Sequence, residues 1–422
     1  MNITVIGEHE ERTVRQLERC VAAEDGAAGV LCADGHVGYS QPVGGAVAYR
    51  RNISVSGVGY DIGCGNKAVR TGLRREDVGA DVPRVMDEIV ARISFGVGRR
   101  NDEPVDHPVL EAIGAADAEP QRELRTLAAD QLGTVGAGNH YVDLFADEED
   151  FVWVGVHFGS RGFGHKTATR YLELAGLNGD GMDAEPTLLP IDSELGQEYI
   201  AAMQLAGDYA SAGRDVVVDR VLEILGTSPT LSVHNHHNFA WSESHAGEDW
   251  WVVRKGCTPA FPGQQGFVGS TMGEQSVILE GADTPDARTA LFSTVHGAGR
   301  LLSRTEAAGK MGVAFGCPER GCDFFVIHGR HESAVCPRHP FARLTKRRRR
   351  VRPGLIDFDR VRVDMQGRGI ELRGGAADEA PDAYKRLDDV LDAHGDSIRV
   401  LHRLTPIGVA MAGHDTFDPY KD

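Results

Sequence analysis

The amino-acid sequence predicts an α+β fold: a single large domain in which mixed β-sheets are surrounded by helices. Two kinds of segment indicate this class. Apolar runs such as residues 152–156 and 251–253 are typical of short buried strands, and each ends in a polar, glycine-rich loop. By contrast, residues 81–93, 194–212 and 214–225 carry apolar side chains at helical spacing with charged residues between them, which predicts three helices.

Length does not settle the number of domains, but the sequence pattern favours a globular protein that is neither secreted nor embedded in a membrane. The 422 residues show no internal repeat and no linker rich in Pro, Gly or Ser, and 41% of them are hydrophobic. No apolar run approaches the ~20 residues that a membrane span needs. The N-terminus lacks the basic and apolar regions of a secretory signal. We therefore expect a cytoplasmic protein without a membrane partner.

The net charge of −17 restricts how this protein can bind nucleic acid. Neutralisation of phosphates supplies most of the affinity of non-specific binding, so an acidic molecule cannot bind a polynucleotide over its whole surface. Any contact with nucleic acid must therefore be local.

Cysteine and glycine usage both point to a ligand site. The seven cysteines, from Cys20 to Cys336, are odd in number and scattered, which is not the pattern of a secreted disulfide framework. In cytosolic proteins such cysteines more often mark metal sites or reactive thiols. The 52 glycines exceed the usual share of about 7% and concentrate beside His, Asn, Asp and Ser. Such runs indicate backbone that approaches a ligand closely.

Several short loops carry the side chains of a metal site. Asp61 and Cys64 lie three positions apart on a glycine-containing loop, where a carboxylate and a thiolate can bind a common divalent ion and the thiolate can bridge two. Later loops add His140, His157 and His237. A single buried histidine is more often a hydrogen-bonded core residue. Together the loops favour a dinuclear site, and thiolate with imidazole disfavours Mg and Ca but leaves Zn, Mn, Fe and Co open.

One further motif, residues 293–300, places His296 between hydroxyl-bearing residues and a glycine-rich loop that ends in Arg300. Glycine amides and an arginine fork form a phosphate-binding arrangement, and a neutral imidazole beside it can attack a phosphorus centre. A glycine-rich turn whose His and Arg bond only to backbone carbonyls is the alternative, and the motif alone does not decide between them.

The motifs form an ordered set along the chain. They are DGHVG at 34–38, PVGG at 42–45, GYDIGCG at 59–65, GNH at 138–140, HFGSRG at 157–162, HN at 237–238, RKG at 254–256, HGAGR at 296–300 and DEAPDAYK at 378–385. This order resembles the RtcB RNA ligases over most of the chain. The resemblance implies a single-domain fold that uses GTP and two Mn(II) ions. It also implies RNA substrates, one ending in a 3'-phosphate or 2',3'-cyclic phosphate and the other beginning with a 5'-hydroxyl.

The resemblance also implies roles for individual residues. His296 would be the catalytic nucleophile that attacks the α-phosphorus of GTP and becomes guanylylated. The residues matching the family's manganese ligands are Asp61, Cys64, His140, His157 and His237, with the Cys64 thiolate shared between the two ions. The residues matching its nucleotide contacts are Asn139, Asp143, Asn238, Thr271, Ser276, His296, Ala298, Gly299 and Tyr384.

The sequence departs from the family where guanine would be recognised. Asp143 stands where the family usually has the longer Glu, although Thr271 and Ser276 keep their hydroxyl groups. Met411 stands where the family usually has a lysine that reaches guanine, and a methionine cannot donate a hydrogen bond as an ammonium does. Either guanine affinity falls, base selectivity relaxes or another group substitutes, and Lys421 is the candidate for such a group.

Residues 310–353 differ from the rest of the chain and are predicted to be an insertion. It would separate a catalytic core, residues 1–309, from residues 354–422, the C-terminal part of the same domain. The insertion contains two ligand pairs that resemble a small zinc knuckle, namely Cys317 with Cys322 and Cys336 with His339. A structural zinc and unpaired surface residues are both open. The basic run at 346–350, KRRRR, favours contact with RNA phosphates over a merely solvated charge run.

Two alternatives to a ligase follow from the same residues. A dinuclear metal site with histidines and a carboxylate also suits a metal-dependent phosphoesterase or nuclease. The change at Met411 also allows a non-catalytic RNA-binding relative. A covalent GMP adduct on His296 would exclude the hydrolase, because hydrolysis needs none, and the retention of every metal ligand and of His296 argues against the non-catalytic relative. The natural RNA, the oligomeric state and the need for an archease-like activator stay open.

Overall fold

The computed structural model describes residues 2–176, 181–326 and 335–413, and for residues 348–350 it describes the backbone alone. Lys421 therefore lies outside the described residues. Strands and helices alternate irregularly along these ranges. In chain order the strands are β1 Asn2–Val5, β2 Ala28–His36, β3 Val43–Tyr49, β4 Asn52–Ser54, β5 Gly65–Arg74, β6 Tyr141–Ala146, β7 Phe151–Phe158, β8 Leu188–Pro190, β9 Pro229–His236, β10 Asn238–His245, β11 Glu248–Lys255, β12 Cys257–Pro259, β13 Gln265–Val268, β14 Ser276–Gly281, β15 Ser293–Val295, β16 Gly309–Gly316, β17 Phe325–Val326, β18 Val335–Cys336, β19 His339–Arg343, β20 Thr345–Pro353, β21 Glu371–Gly375 and β22 Ile398–Gly413.

Most helices are short and connect strands, and α9 is much longer than the others. In chain order the helices are α1 Glu11–Ala22, α2 Val55–Val58, α3 Arg75–Val78, α4 Val82–Arg92, α5 Pro108–Gly114, α6 Glu119–Glu123, α7 Arg125–Gln131, α8 Arg161–Leu174, α9 Glu194–Leu225, α10 Pro285–Thr289, α11 Arg304–Ala308, α12 Phe358–Gly367 and α13 Leu387–His394. No helix within these ranges is long and apolar enough to cross a membrane.

The largest sheet has the strand order β13-β14-β22-β6-β7-β5-β9, with β21 parallel to β22. The other pairs in this sheet are antiparallel. The sheet nearly closes on itself, because the Phe267 amide of β13 donates to the Asn235 side chain of β9 over 2.9 Å. The ends of β6, β7, β5 and β9 therefore lie side by side, and the polar loops at these ends are brought together.

A second sheet has the order β1-β2-β3-β11-β10, with β1 and β2 parallel and the other pairs antiparallel. A two-stranded sheet, β12 with β15, lies between the two larger ones. Both large sheets are mixed, and helices pack on them. This confirms the predicted α+β class with mixed sheets in a single domain.

The apolar patterns locate two strands and one helix well. The runs 152–156 and 251–253 lie within β7 and β11. Helix α4 begins one residue after the start of the predicted segment 81–93 and ends one residue before its end. The prediction of two helices at 194–212 and 214–225 is wrong, because they form the single helix α9. Gly213 does not interrupt this helix, since it allows close approach to Phe158, where a Cβ would lie 3.3 Å from the ring. The helix ends at Gly226, which adopts a left-handed conformation with φ of 66°.

Candidate metal and nucleotide site

The predicted metal ligands lie at the ends of neighbouring strands of the large sheet. Cys64 directly precedes β5, His140 precedes β6, His157 is near the end of β7 and His237 follows β9. Because β6, β7, β5 and β9 are adjacent, residues far apart in sequence meet at one edge. Asp61 joins them from the turn before Cys64. We call these five side chains the shared-thiolate cluster.

The five donors form two groups that have Cys64 in common: Asp61, Cys64 and His140, and Cys64, His157 and His237. The Cys64 sulfur lies 3.6 Å from Nε2 of His140 and 3.4 Å from Nε2 of His157. Nε2 of His140 is 3.2 Å from the Asp61 carboxylate, and the Nε2 atoms of His157 and His237 are 3.3 Å apart. Within each group all donor atoms lie within 4.8 Å of one another, so each group could hold one ion.

The charge states of these side chains suit cation binding. Burial, with the neighbouring histidines, lowers the pKa of His157 and of His237 well below the ordinary value, so both imidazoles are neutral. Burial tends to raise the pKa of Asp61, but the hydrogen bond and charge of His140 outweigh it and lower that pKa to about 2. Burial also raises the pKa of the Cys64 thiol well above its ordinary value, so a bound cation would be needed to hold it as thiolate.

Contacts behind the ligands fix their orientation. Nδ1 of His157 lies 3.0 Å from the carbonyl oxygen of Asn139, which leaves Nε2 free to face Cys64. Gly159 gives Asp61 room, because a Cβ at this position would lie 2.1 Å from the Asp61 carboxylate. The buried Arg214 guanidinium donates to the carbonyls of Gly63, over 2.9 Å, and of Phe158. It thereby ties the Cys64 loop to the end of β7.

His296 follows β15, and its ring is held by Asp34 of β2. Nδ1 of His296 lies 2.6 Å from the Asp34 carboxylate, which also accepts the His296 backbone amide over 3.0 Å. Burial alone would raise the pKa of Asp34, but the charge and hydrogen bonds of His296 hold it below the ordinary value. Gly299 permits this approach: its φ is 77°, and a Cβ there would lie 2.2 Å from the Asp34 carbonyl. Nε2 of His296 is the nitrogen left for chemistry.

The His296 ring lies against the shared-thiolate cluster. Its centroid is 4.9 Å from that of His237, in an edge-to-face arrangement. The structure therefore brings the predicted nucleophile and the five predicted metal ligands into one site.

Five of the predicted nucleotide contacts surround this site. Asn139 and Asn238 directly precede and follow the ligands His140 and His237, and the Asn238 side chain accepts the Gly256 amide over 2.7 Å. Ala298 and Gly299 form the turn after His296. Tyr384 lies beside that turn, where Arg300 donates to its hydroxyl over 2.8 Å.

The other three predicted base contacts lie on β6, which carries Asp143, and between β13 and the start of β14, where Thr271 and Ser276 lie. Asp143 is buried on β6, and burial raises its pKa well above the ordinary value. One of its carboxylate oxygens, the Tyr141 hydroxyl and the Thr271 hydroxyl are buried without a hydrogen-bond partner among the described residues. Ser276 accepts the Ser270 amide over 3.0 Å and closes the loop that holds Thr271. These orphaned polar atoms fit a polar ligand such as a purine base.

These buried polar atoms lie close to the metal ligands. The Tyr141 ring packs against His157 with centroids 5.5 Å apart, and the Tyr141 hydroxyl abuts Gly269. Met411 pairs with Tyr141 in the β22–β6 register and is buried in the same apolar cluster. The side chain next to Tyr141 on β22 is therefore apolar and buried.

The roles of Asp34 and Arg214 were not predicted. Asp34 lies in the motif DGHVG, and Arg214 was the first residue of a predicted helix. An acidic residue in a glycine-rich motif was the available signal for Asp34. For Arg214 the signal was an arginine within an apolar helical pattern.

The four residues of the predicted zinc knuckle are also brought together. The donor atoms of Cys317, Cys322, Cys336 and His339 all lie within 4.8 Å of one another. The backbone of the basic run 346–350 lies in β20.

The fold and the cluster together indicate what kind of chemistry the site can perform. Two ligand groups that share a thiolate, beside a histidine oriented by a carboxylate, are suited to metal-assisted transfer of a phosphoryl group.

Comparison with known proteins identifies the family. The family model described as tRNA-splicing ligase RtcB matches residues 16–120 and 103–315. The chain therefore belongs to the RtcB family. It is 28% identical to the RNA-splicing ligase RtcB of Escherichia coli over 412 residues, which cover 89% of this chain and 87% of that protein. It is 30% identical to the tRNA-splicing ligase RtcB of Pyrobaculum aerophilum over 469 residues, which cover 90% and 87%. The RNA-splicing ligase RtcB of Mycobacterium tuberculosis is 29% identical over 458 residues, which cover 89% and 94%.

Proposed function

We propose that this protein is an RNA ligase that uses GTP and Mn(II) and proceeds through a guanylylated His296. It joins RNA ending in a 3'-phosphate or 2',3'-cyclic phosphate to RNA beginning with a 5'-hydroxyl. One observation carries the proposal: His296, oriented by Asp34, lies against two ligand groups that share Cys64. Membership in the RtcB family supports the same conclusion.

The donor set fits two divalent transition-metal ions. Asp61, Cys64 and His140 would hold one ion, and Cys64, His157 and His237 the other. Such ions supply neutralisation of phosphate charge and of the leaving pyrophosphate. Manganese is within the range that mixed O, N and S donors accept, and family membership favours it over Zn, Fe and Co.

The chain's own residues account for the first chemical step. Asp34 accepts the Nδ1 proton of His296, so the lone pair of Nε2 is available. Nε2 attacks the α-phosphorus of GTP, a P–N bond forms, and the bond to the pyrophosphate oxygen breaks. The Asp34 carboxylate stabilises the positive charge that develops on the imidazole. The His296 adduct then carries GMP.

Two further transfers complete the reaction. An oxygen of the RNA 3'-phosphate attacks the phosphorus of the adduct, which frees His296 and leaves a phosphoanhydride between RNA and GMP. The 5'-hydroxyl of the second RNA then attacks the 3'-phosphorus, loses its proton and releases GMP. A 2',3'-cyclic phosphate must first take up water to become a 3'-phosphate.

Base recognition in this proposal uses the orphaned polar atoms beside Tyr141. Guanine presents N–H donors at N1 and N2, which match the Asp143 carboxylate, while Thr271 and Ser276 supply hydroxyl groups. Asn139, Asn238, Ala298, Gly299 and Tyr384 would line the path from the metal ligands to the base. With Met411 in place of the lysine, selection of GTP over ATP rests on fewer charged contacts.

We further propose that β20 contacts RNA phosphates. Six of its nine residues are Lys or Arg, in a chain whose net charge is −17. A local basic strand is what an acidic protein needs to bind a polyanion. Replacing Lys346 and Arg347 by Ala should lower RNA affinity and reduce its dependence on salt, by a slope of ~0.7 for each lost phosphate contact. An unchanged salt slope would contradict this role.

The decisive experiment is detection of the adduct. We would incubate the protein with Mn(II) and α-labelled GTP and test for a label that survives base and is released by acid, as a phosphoramidate is. His296→Ala should abolish the adduct and RNA sealing, while Mn(II) content stays nearly unchanged. A label that persists in His296→Ala would exclude this nucleophile. Hydrolysis of RNA without any adduct would instead favour the phosphoesterase alternative.

A further inference from the structure

A separate cluster of metal-binding side chains lies outside the proposed active site, at the end of the paired strands β16 and β20. Strands β16 and β20 pair antiparallel from Gly309 opposite Pro353 to Gly316 opposite Thr345. The chain therefore leaves and rejoins the main domain at neighbouring points. Beyond Gly316 the ribbon adds β17 and the short pair of β18 with β19. We call residues 309–353 the ribbon.

Four donor atoms converge at the far end of the ribbon. The Cys317 sulfur lies 3.5 Å from Nδ1 of His339, the Cys336 sulfur 3.8 Å from the same nitrogen, and the sulfurs of Cys322 and Cys336 are 3.8 Å apart. A tetrahedral zinc, with bonds of about 2.3 Å to sulfur and about 2.0 Å to nitrogen, separates two sulfurs by about 3.8 Å and sulfur from nitrogen by about 3.5 Å. Two of the three separations, Cys317 to His339 and Cys322 to Cys336, match the edges of such a tetrahedron, and the third is longer by about 0.3 Å.

The contacts around these side chains explain why the ribbon needs an ion. Its buried apolar cluster consists of Cys317, Cys336, Ala342 and Leu344, with a few partly buried neighbours. Phe341 is fully exposed. So small a core cannot offset the entropy of ordering the loops at this end, whereas a structural metal site contributes folding free energy directly.

We propose that Cys317, Cys322, Cys336 and His339 bind one structural Zn(II) ion, with His339 as an Nδ1 ligand. Three thiolates and one imidazole fill a tetrahedral coordination sphere and leave no open position, which is the arrangement of a structural site. Soft thiolates select zinc over Mn(II). The site is thus distinct in ligands, metal and role from the shared-thiolate cluster.

The first test compares zinc content in full-length chains whose shared-thiolate cluster has been disabled. We would purify Cys64→Ala, Cys64→Ala/Cys322→Ser and, as a control for loss of a second thiol, Cys64→Ala/Cys257→Ala. Plasma mass spectrometry should find about one zinc ion per chain in the first and third, and a loss of about fivefold or more in the second. Equal zinc content in all three would overturn the proposal.

The second test reads the coordination directly and uses a chain with an intact ribbon. Cobalt(II) added to metal-free Cys64→Ala should produce the intense absorption bands of tetrahedral thiolate coordination. Added zinc should abolish these bands. Cobalt binding without such bands, or no binding, would overturn the proposal even if the Cys322 variant does not fold.

Discussion

The shared-thiolate cluster and the four donors of the ribbon differ in how far apart in the chain their donor atoms lie. In the shared-thiolate cluster, Cys64 meets His140 and His157, which are 76 and 93 positions away in the chain. These donors stand on neighbouring strands of one large sheet. In the ribbon, the most distant contact, Cys317 with His339, spans 22 positions, and little apolar core surrounds it.

This difference indicates which of the two sites needs a bound ion to order its donor atoms. The sheet and Arg214 hold the shared-thiolate cluster, so its donors can be positioned before any ion binds. Among the described residues of the ribbon there is no comparable scaffold, so we propose that zinc orders its four donors. Removing Mn(II) should therefore cost activity, whereas removing zinc should cost local structure.

The strongest effect is expected from a substitution that disables the shared-thiolate cluster and leaves the ribbon intact. Cys64→Ala removes the ligand that both groups share, so bound Mn(II) and RNA sealing should both fall to near background. Cys257→Ala removes an equally buried thiol outside the cluster and should retain most Mn(II) and activity. Cys322→Ser should also retain Mn(II). Equal Mn(II) content in Cys64→Ala and Cys257→Ala would remove Cys64 from the ligand set.

The next effect tests whether the protein scaffold orients the nucleophile. Asp34→Asn keeps the shape of the side chain but loses the charge beside His296, so the rate of adduct formation should fall by about 100-fold or more. Mn(II) content should not change. Asp147→Asn, which neutralises a buried carboxylate bonded to Trp153, is the matched control. A rate for Asp34→Asn within twofold of the control, or a parallel loss of Mn(II), would contradict a role in orientation.

A smaller effect concerns pH. Burial raises the pKa of Asp143, which favours the protonated carboxyl in the free protein. Guanine donors favour the ionised form, so GTP binding would release a proton, and affinity should rise with pH by up to about tenfold per unit. The rise ends at the pKa of the free protein. In Asp143→Asn the ratio of GTP affinity to ATP affinity should stay nearly constant as the pH changes over this range. Isothermal titration would measure both affinities. A GTP affinity that does not vary with pH would exclude ionisation of Asp143.

The smallest effect concerns base selection. Met411→Lys supplies a charged donor beside the proposed guanine pocket and should raise the preference for GTP over ATP by about tenfold in adduct formation. Met411→Leu, which stays apolar, should leave the preference unchanged. A chain that ends at Gly413 tests Lys421: a lower preference would assign Lys421 the missing contact. If neither Lys at position 411 nor the truncation alters selection, guanine is recognised by other groups.

Much of the catalytic region was predictable because each ligand lies in a short motif beside a strand end. Asp61 and Cys64 share one loop, and His296 directly precedes a glycine-rich turn, so local sequence was enough to propose roles for them. The order of the strands was not predictable, because pairing between distant segments leaves no local pattern. The contact of Asp34 with His296, across 262 positions, depends on that order.

The long helix α9 shows a second limit. The sequence pattern was divided into two segments on either side of Gly213, and glycine weakens isolated helices, but in the structure the helix continues through this residue and packs against Phe158. Arg214 is buried for the same reason: the helix passes directly behind the Cys64 loop, where the arginine donates to backbone carbonyls. Only the tertiary structure reveals either role.

In the proposed site, one thiolate, Cys64, would be shared by two manganese ions beside His296. Electron paramagnetic resonance of the protein loaded with Mn(II) tests it most directly. Two bridged ions should give the spectrum of an exchange-coupled pair, which Cys322→Ser retains and Cys64→Ala loses. A spectrum of isolated Mn(II) in the wild type, or a coupled spectrum that persists in Cys64→Ala, would contradict the account.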